Sequence, residues 1–76
     1  MTVTEIALDL LGLRCPLPAL KTRKALKSLA PGTVLVVTAN DPLAGLDIPN
    51  LIRETGDRLE STVQDDQKLT FRIVKA

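Results

Sequence analysis

The run Val34-Leu35-Val36-Val37 constrains the fold of this chain more than any other feature. Four consecutive aliphatic residues, three of them β-branched, favour a strand, and without polar alternation that strand reads as buried on both faces. Pro31-Gly32 before it and Asn40-Asp41-Pro42 after it set its limits at Thr33 to Ala39. The remaining segments must supply its partners and its cover.

Thr4 to Leu10 alternates, with Ile6 and Leu8 on one face and Glu5, Ala7 and Asp9 on the other, as in a half-buried strand. Gly12 ends it. Pro16 and Pro18 then lead into Ala19 to Leu29, a stretch of good helix formers. Proline is accepted in a first helical turn, where amides have no intrahelical partner, so the helix is expected to start at or just after Cys15. Its core face is Thr22, Ala25, Leu26 and Leu29. A second helical pattern places Ala44, Ile48, Leu51, Ile52 and Thr55 on one side and stops at Gly56. Pro49 must lie near the start of this helix or kink it. Leu59, Ser61 and Val63 alternate, as do Leu69, Phe71 and Ile73, and Asp65-Asp66-Gln67 joins the two runs as a hairpin. The order β-α-β-α-β-β makes an α/β (α+β) two-layer sandwich: a mixed four-stranded sheet with two helices packed on one face, residues 1–76 forming one domain.

A domain of 76 residues buries only roughly 60% of its unfolded surface, so the core is thin. Phe71 is the only aromatic residue, and the 45% hydrophobic content is almost wholly aliphatic. Ten basic and nine acidic side chains leave a net charge of +1, which argues against a general nucleic-acid binder. No apolar run approaches the ~18 residues that cross a bilayer. Glu5 and Asp9 break up the N-terminal apolar residues, so no signal peptide is expected there. No cofactor or metal is expected, because the chain has no histidine and one cysteine. A lone thiol without a disulfide framework fits a reducing cytoplasm, and a monomer is the expectation.

That thiol, Cys15, is the chemical focus. A helix N-terminus carries about half a positive charge, which favours thiolate. Arg14 adds a second positive charge, and Pro16 and Pro18 hold the sulfur in place while leaving the Leu17 N–H as its nearest free donor. These features are expected to lower the thiol below its ordinary pKa of about 8.5. The alternative is a small buried hydrophobe. On the helix face opposite the core stand Lys21, Arg23, Lys24 and Lys27, with Leu17 and Leu20 among them. Exposed leucines ringed by lysines read as a docking patch for an acidic protein surface; otherwise Leu17 packs on the Leu10-Leu11 turn and the lysines are solvated surface. A cysteine hydrolase needs a histidine and a dithiol oxidoreductase a second cysteine, so one-sulfur chemistry remains.

Leu8-Asp9 followed by Gly12-Leu13-Arg14-Cys15-Pro16-Leu17-Pro18 resembles the CPxP signature of the TusA/SirA-like sulfur-carrier proteins. The likeness continues through Pro31-Gly32, Asp41-Pro42 and Asp47-Ile48-Pro49 and spans essentially the whole chain. It implies the same βαβαββ sandwich. It also implies a cysteine that accepts sulfane sulfur as a persulfide from a cysteine desulfurase or rhodanese and passes it to a thiol acceptor protein of the DsrE/TusD-like kind. Such a carrier is a co-substrate rather than a stand-alone enzyme, and it serves tRNA 2-thiolation, sulfur oxidation, or molybdenum-cofactor or selenium metabolism. By position Cys15 is the carrier, Pro16 and Pro18 shape its turn, Arg14 flanks it, and Asp41, Asp47 and Pro49 form the second motif, which holds the second helix beside the cysteine. Asp41 also reads as a helix cap or Asx-turn before Pro42. Two departures leave the pathway and partner open: Asp57 follows Gly56 where many members have histidine, and Leu17 separates prolines that often flank an acidic residue. Two rivals are a non-catalytic interaction module of the same fold and RNA binding through the basic helix face, which lacks aromatic stacking residues.

Overall fold

The computed structural model describes residues 4–76. The elements follow in the order β1 (Glu5–Asp9), α1 (Leu17–Lys27), β2 (Val34–Ala39), α2 (Ala44–Thr55), β3 (Arg58–Asp65) and β4 (Lys68–Val74). The strands form one mixed sheet in the order β1-β2-β4-β3. β1 runs parallel to β2, with Ile6 beside Leu35 and Leu8 beside Val37. β4 is antiparallel to both β2 and β3. Both helices lie on one face. The carboxyl ends of β1 and β2 therefore stand side by side, and each feeds a loop into a helix.

The core follows from alternation in the central strands. Leu35, Val37 and Ala39 of β2 and Leu69, Phe71 and Ile73 of β4 turn toward the helices and are buried. They meet Leu26 of α1 and Ala44, Ile48 and Ile52 of α2 in one cluster. Leu51 of α2 is buried too, whereas Thr55, expected on the same face, is exposed. In α1, Thr22 and Leu26 are buried and Ala25 and Leu29 half-buried. Thr22 satisfies its buried hydroxyl by donating to the Pro18 carbonyl at 2.7 Å.

Three details depart from the sequence reading. β2 is not covered on both faces along its whole length: Val36 and Thr38 are half-buried on the side away from the helices, and only Val34 of that face is buried. A two-layer fold covers only one face, and the β-branched residues on the other suit a pleated, half-exposed surface. Over that face Arg72 of β4 reaches across β2 to Glu5 of β1 at 2.7 Å and to Glu60 of β3 at 3.0 Å. Secondly, β3 carries a bulge between Leu59 and Ser61, so Leu59 pairs with Ile73 and Ser61 with Arg72. The extra residue moves Ser61 and Val63 to the open face, away from the side that Leu59 shares. Thirdly, Pro49 sits inside α2, past its first turn, so of the two places the sequence left open for it the start of the helix is the one that fails. It cannot donate to the Gly45 carbonyl, which loosens the join between that turn and the rest of the helix.

The β3–β4 connection is tight, with Asp66 at φ +57°, a left-handed conformation that Asp tolerates better than most residues. Gly56 ends α2 at φ +81°, its N–H donating to the Ile52 carbonyl. No helix among the described residues is long and apolar enough to cross a membrane.

Phe71 is wholly buried at the centre of the core. Phe71→Ala is expected to cost about 3–5 kcal/mol in urea denaturation, and a loss below ~1 kcal/mol would contradict this packing.

Candidate functional site

The site forms where the loops after β1 and β2 meet. Asp9 ends β1 and accepts the Leu11 N–H at 2.9 Å, starting a turn that Gly12 completes at φ +85°. Asn40, just beyond β2, accepts the Gly12 N–H at 2.9 Å. Asp41 follows and is 4% exposed. Its Oδ2 accepts the Cys15 N–H at 2.7 Å, and its Oδ1 accepts the Leu43 N–H at 3.4 Å. Asp41 is thus an Asx-turn before α2, as one sequence reading had it, and also the grip on the cysteine loop. A carboxylate accepting a backbone amide is a charge-assisted bond, stronger than a neutral one.

The Cys15–Pro16 peptide is cis, and α1 begins at Leu17. Pro16 is exposed and Pro18 buried, so the second proline is also part of the packing. Cys15 is exposed, which excludes core filler. Its Sγ donates to Asp47 Oδ2, in the first turn of α2, at 3.0 Å. This pair overturns the expected thiolate. The thiol is held above its ordinary value, chiefly by the hydrogen bond to Asp47, then by desolvation and by the charges of Asp47 and Asp41. No backbone N–H of this helix end bonds the sulfur among the described residues: Pro16 and Pro18 have none to give, and the Leu17 N–H is committed to the Arg14 carbonyl at 2.9 Å. Arg14 turns aside as well. Its Nη1 donates to the Leu13 carbonyl and to Asn40 Oδ1 at 3.3 Å, and it lines a separate cavity of about 570 Å³ with Asn40, Gln64 and Gln67. A carboxylate in contact with the sulfur outweighs a dipole whose donors point elsewhere.

Cys15 opens onto a groove of about 400 Å³ between α1 and α2, lined also by Ala19, Leu20, Asp47 and Leu51. Arg23 and Glu54, paired at 3.0 Å, bridge the two helices along it. Leu17 and Leu20 are 43% and 54% exposed, and Lys21 and Lys24 are exposed beside them. Leu17 is therefore not packed away on the preceding turn. Leu43 and Leu46 at the start of α2 are also exposed, at 52% and 61%. They escaped the sequence reading, although both fall off the Ala44-Ile48-Ile52 core face. Pro49 is half-buried and does not line the groove. No group of three or more His, Cys, Asp or Glu side chains placed to hold a metal ion occurs among the described residues.

Asp41→Ala leaves the Cys15 and Leu43 amides without their acceptor, which costs about 1–3 kcal/mol. Urea denaturation measures this loss, and a variant as stable as the parent would show that Asp41 does not tie the loops together.

The chain matches known proteins along nearly its whole length. The family described as Sulfurtransferase TusA matches residues 6–75. The sulfur carrier protein TusA of Allochromatium vinosum is 38% identical over 69 residues, covering 91% of this chain and 91% of the relative. A putative sulfur carrier protein of Archaeoglobus fulgidus is 39% identical over 70 residues, covering 88% of this chain and 91% of the relative. With a match that runs from β1 through β4 and takes in the whole cysteine site, the chain belongs to the TusA sulfurtransferase family.

Proposed function

We propose that the chain is a sulfur carrier that takes up sulfane sulfur on Cys15 as a persulfide and relays it to an acceptor protein. The observation that carries this reading is the exposed Cys15 thiol, fixed at its amide by Asp41 and at its sulfur by Asp47, at the mouth of a groove. The names of two relatives, each a sulfur carrier protein, support it. The chemistry available to one thiol without histidine supports it further.

In the uptake step the Cys15 thiol gives up its proton and Sγ attacks the outer sulfur of a donor persulfide. A new S–S bond forms to Sγ, the donor S–S bond breaks, and the donor cysteine leaves as a thiolate that is then protonated. In delivery an acceptor thiolate attacks the outer sulfur and Cys15 is the leaving group. Donor and acceptor are both proteins in this reading: a cysteine desulfurase or rhodanese on one side, a DsrE/TusD-like thiol protein on the other. Leu17 and Leu20 supply apolar docking area, and Lys21 and Lys24 attract an acidic rim. The acceptor that docks decides whether the sulfur goes to tRNA 2-thiolation, sulfur oxidation or cofactor supply. The carrier works as a cytoplasmic monomer and is a co-substrate in each half-reaction.

Incubation with a cysteine desulfurase and cysteine, or a rhodanese and thiosulfate, tests the reading by intact-protein mass spectrometry. The expected result is a gain of one sulfur atom, removed by dithiothreitol and absent in Cys15→Ser. No gain from either donor would reduce the protein to an interaction module of the same fold.

A further inference from the structure

The carboxylate that holds the thiol has no counter-ion among the described residues. Asp47 is half-buried in the first turn of α2, and Cys15 Sγ donates to it at 3.0 Å. None of the salt bridges among the described residues includes Asp47 or Asp41. The other charged side chains of the groove, Arg23 and Glu54, neutralise each other at 3.0 Å. Arg14 lies in a different cavity and is turned to Asn40. One negative charge is left in contact with the reactive sulfur, at the mouth of a groove of about 400 Å³. The exposed leucines of the two helix starts, Leu17, Leu20, Leu43 and Leu46, add apolar surface to this end of the molecule.

We propose that Asp47 is a selectivity latch: the carrier engages partners that bring a cationic side chain beside their own reactive sulfur, and that cation takes the Asp47 carboxylate away from the Cys15 thiol. The inference rests on the carrier reading and adds the partner chemistry. At rest the charge-assisted bond keeps the proton on sulfur. A docked partner covers the leucines and excludes water, which strengthens the attraction between its cation and the Asp47 carboxylate. Once that ion pair forms, the carboxylate no longer stabilises the protonated sulfur. Sγ then attacks the partner's outer sulfur, the partner's S–S bond breaks, and the thiol proton ends on the partner thiolate that leaves. A partner with an acidic group at the same place meets like charge. The basic side chains on the outer face of α1 work at the periphery and prefer acidic surface, so the fitting partner is cationic at its reactive sulfur and acidic around it.

Thiol–disulfide exchange of the full chain with two small disulfides tests this. Cystamine carries an ammonium near each sulfur, and hydroxyethyl disulfide has the same length and no charge. In each reaction Sγ forms a mixed disulfide, the reagent S–S bond breaks and a small thiol is released. Rates are measured for the parent chain and Asp47→Asn, and the cystamine-to-neutral ratio of one protein is divided by that of the other, so intrinsic reagent differences cancel. The expected result is a ratio about tenfold larger with Asp47, the scale of one carboxylate–ammonium contact in a partly screened groove. The parent ratio is also expected to shrink as salt rises. Equal ratios in the two proteins, or a parent ratio indifferent to salt, would overturn the latch. Exchange needs no sulfane sulfur, so a chain with this selectivity that never gains sulfur from a donor keeps the latch and loses the carrier reading.

Discussion

Two carboxylates that follow β2 reach back to the cysteine loop that follows β1, and the arrangement of the site depends on this cross-connection. Asp41 fixes the Cys15 amide and Asp47 fixes its sulfur, at 2.7 Å and 3.0 Å. Both loops start from the carboxyl ends of adjacent parallel strands, so the sheet itself sets their distance. Asn40 adds a third tie through the Gly12 amide. The cysteine is thereby held at the start of α1 by hydrogen bonds from outside the helix; α1 has no side-chain N-cap, and Asp41 gives its hydrogen bond to the loop before it instead.

A protonated resting sulfur suits a carrier that meets many solutes between partners. Oxidation to sulfenic and sulfinic acids goes through the thiolate, so a hydrogen bond that favours the protonated sulfur lowers the thiolate fraction and slows that damage. The same bond slows attack on any reagent that does not displace it. Reactivity then depends on the charge a partner brings, and a surface thiol gains discrimination that a permanently activated one would lack.

Much of this was legible in the residues. The element order came from alternation at Ile6/Leu8 and Leu69/Phe71/Ile73, from the apolar run at Val34–Val37, and from the helical spacing of Ala44, Ile48 and Ile52, because burial on one face imposes those periods. The bulge beside Glu60 was not legible: a one-residue insertion leaves Leu59, Ser61 and Val63 looking like a regular strand while splitting them between faces. The cover of β2 does not follow from its residues, because an apolar run does not say how many layers a sheet has. Cys15 itself stood out as the only thiol, and its exposure agreed with its setting. The sign of its electrostatics did not. Local sequence offers Arg14 and a helix start, both favouring thiolate. The group that decides, Asp47, is 32 residues away along the chain. The family motif flagged Asp47 as adjacent without saying what its carboxylate would accept.

The most direct test of this account is the titration of Cys15 by thiolate absorbance in the far ultraviolet. The chain has one cysteine and no tyrosine or tryptophan, so the signal belongs to a single group. The account predicts a midpoint above the ordinary thiol value of about 8.5, falling in Asp47→Asn. A midpoint below that value in the parent chain, or one unmoved by the substitution, would contradict it.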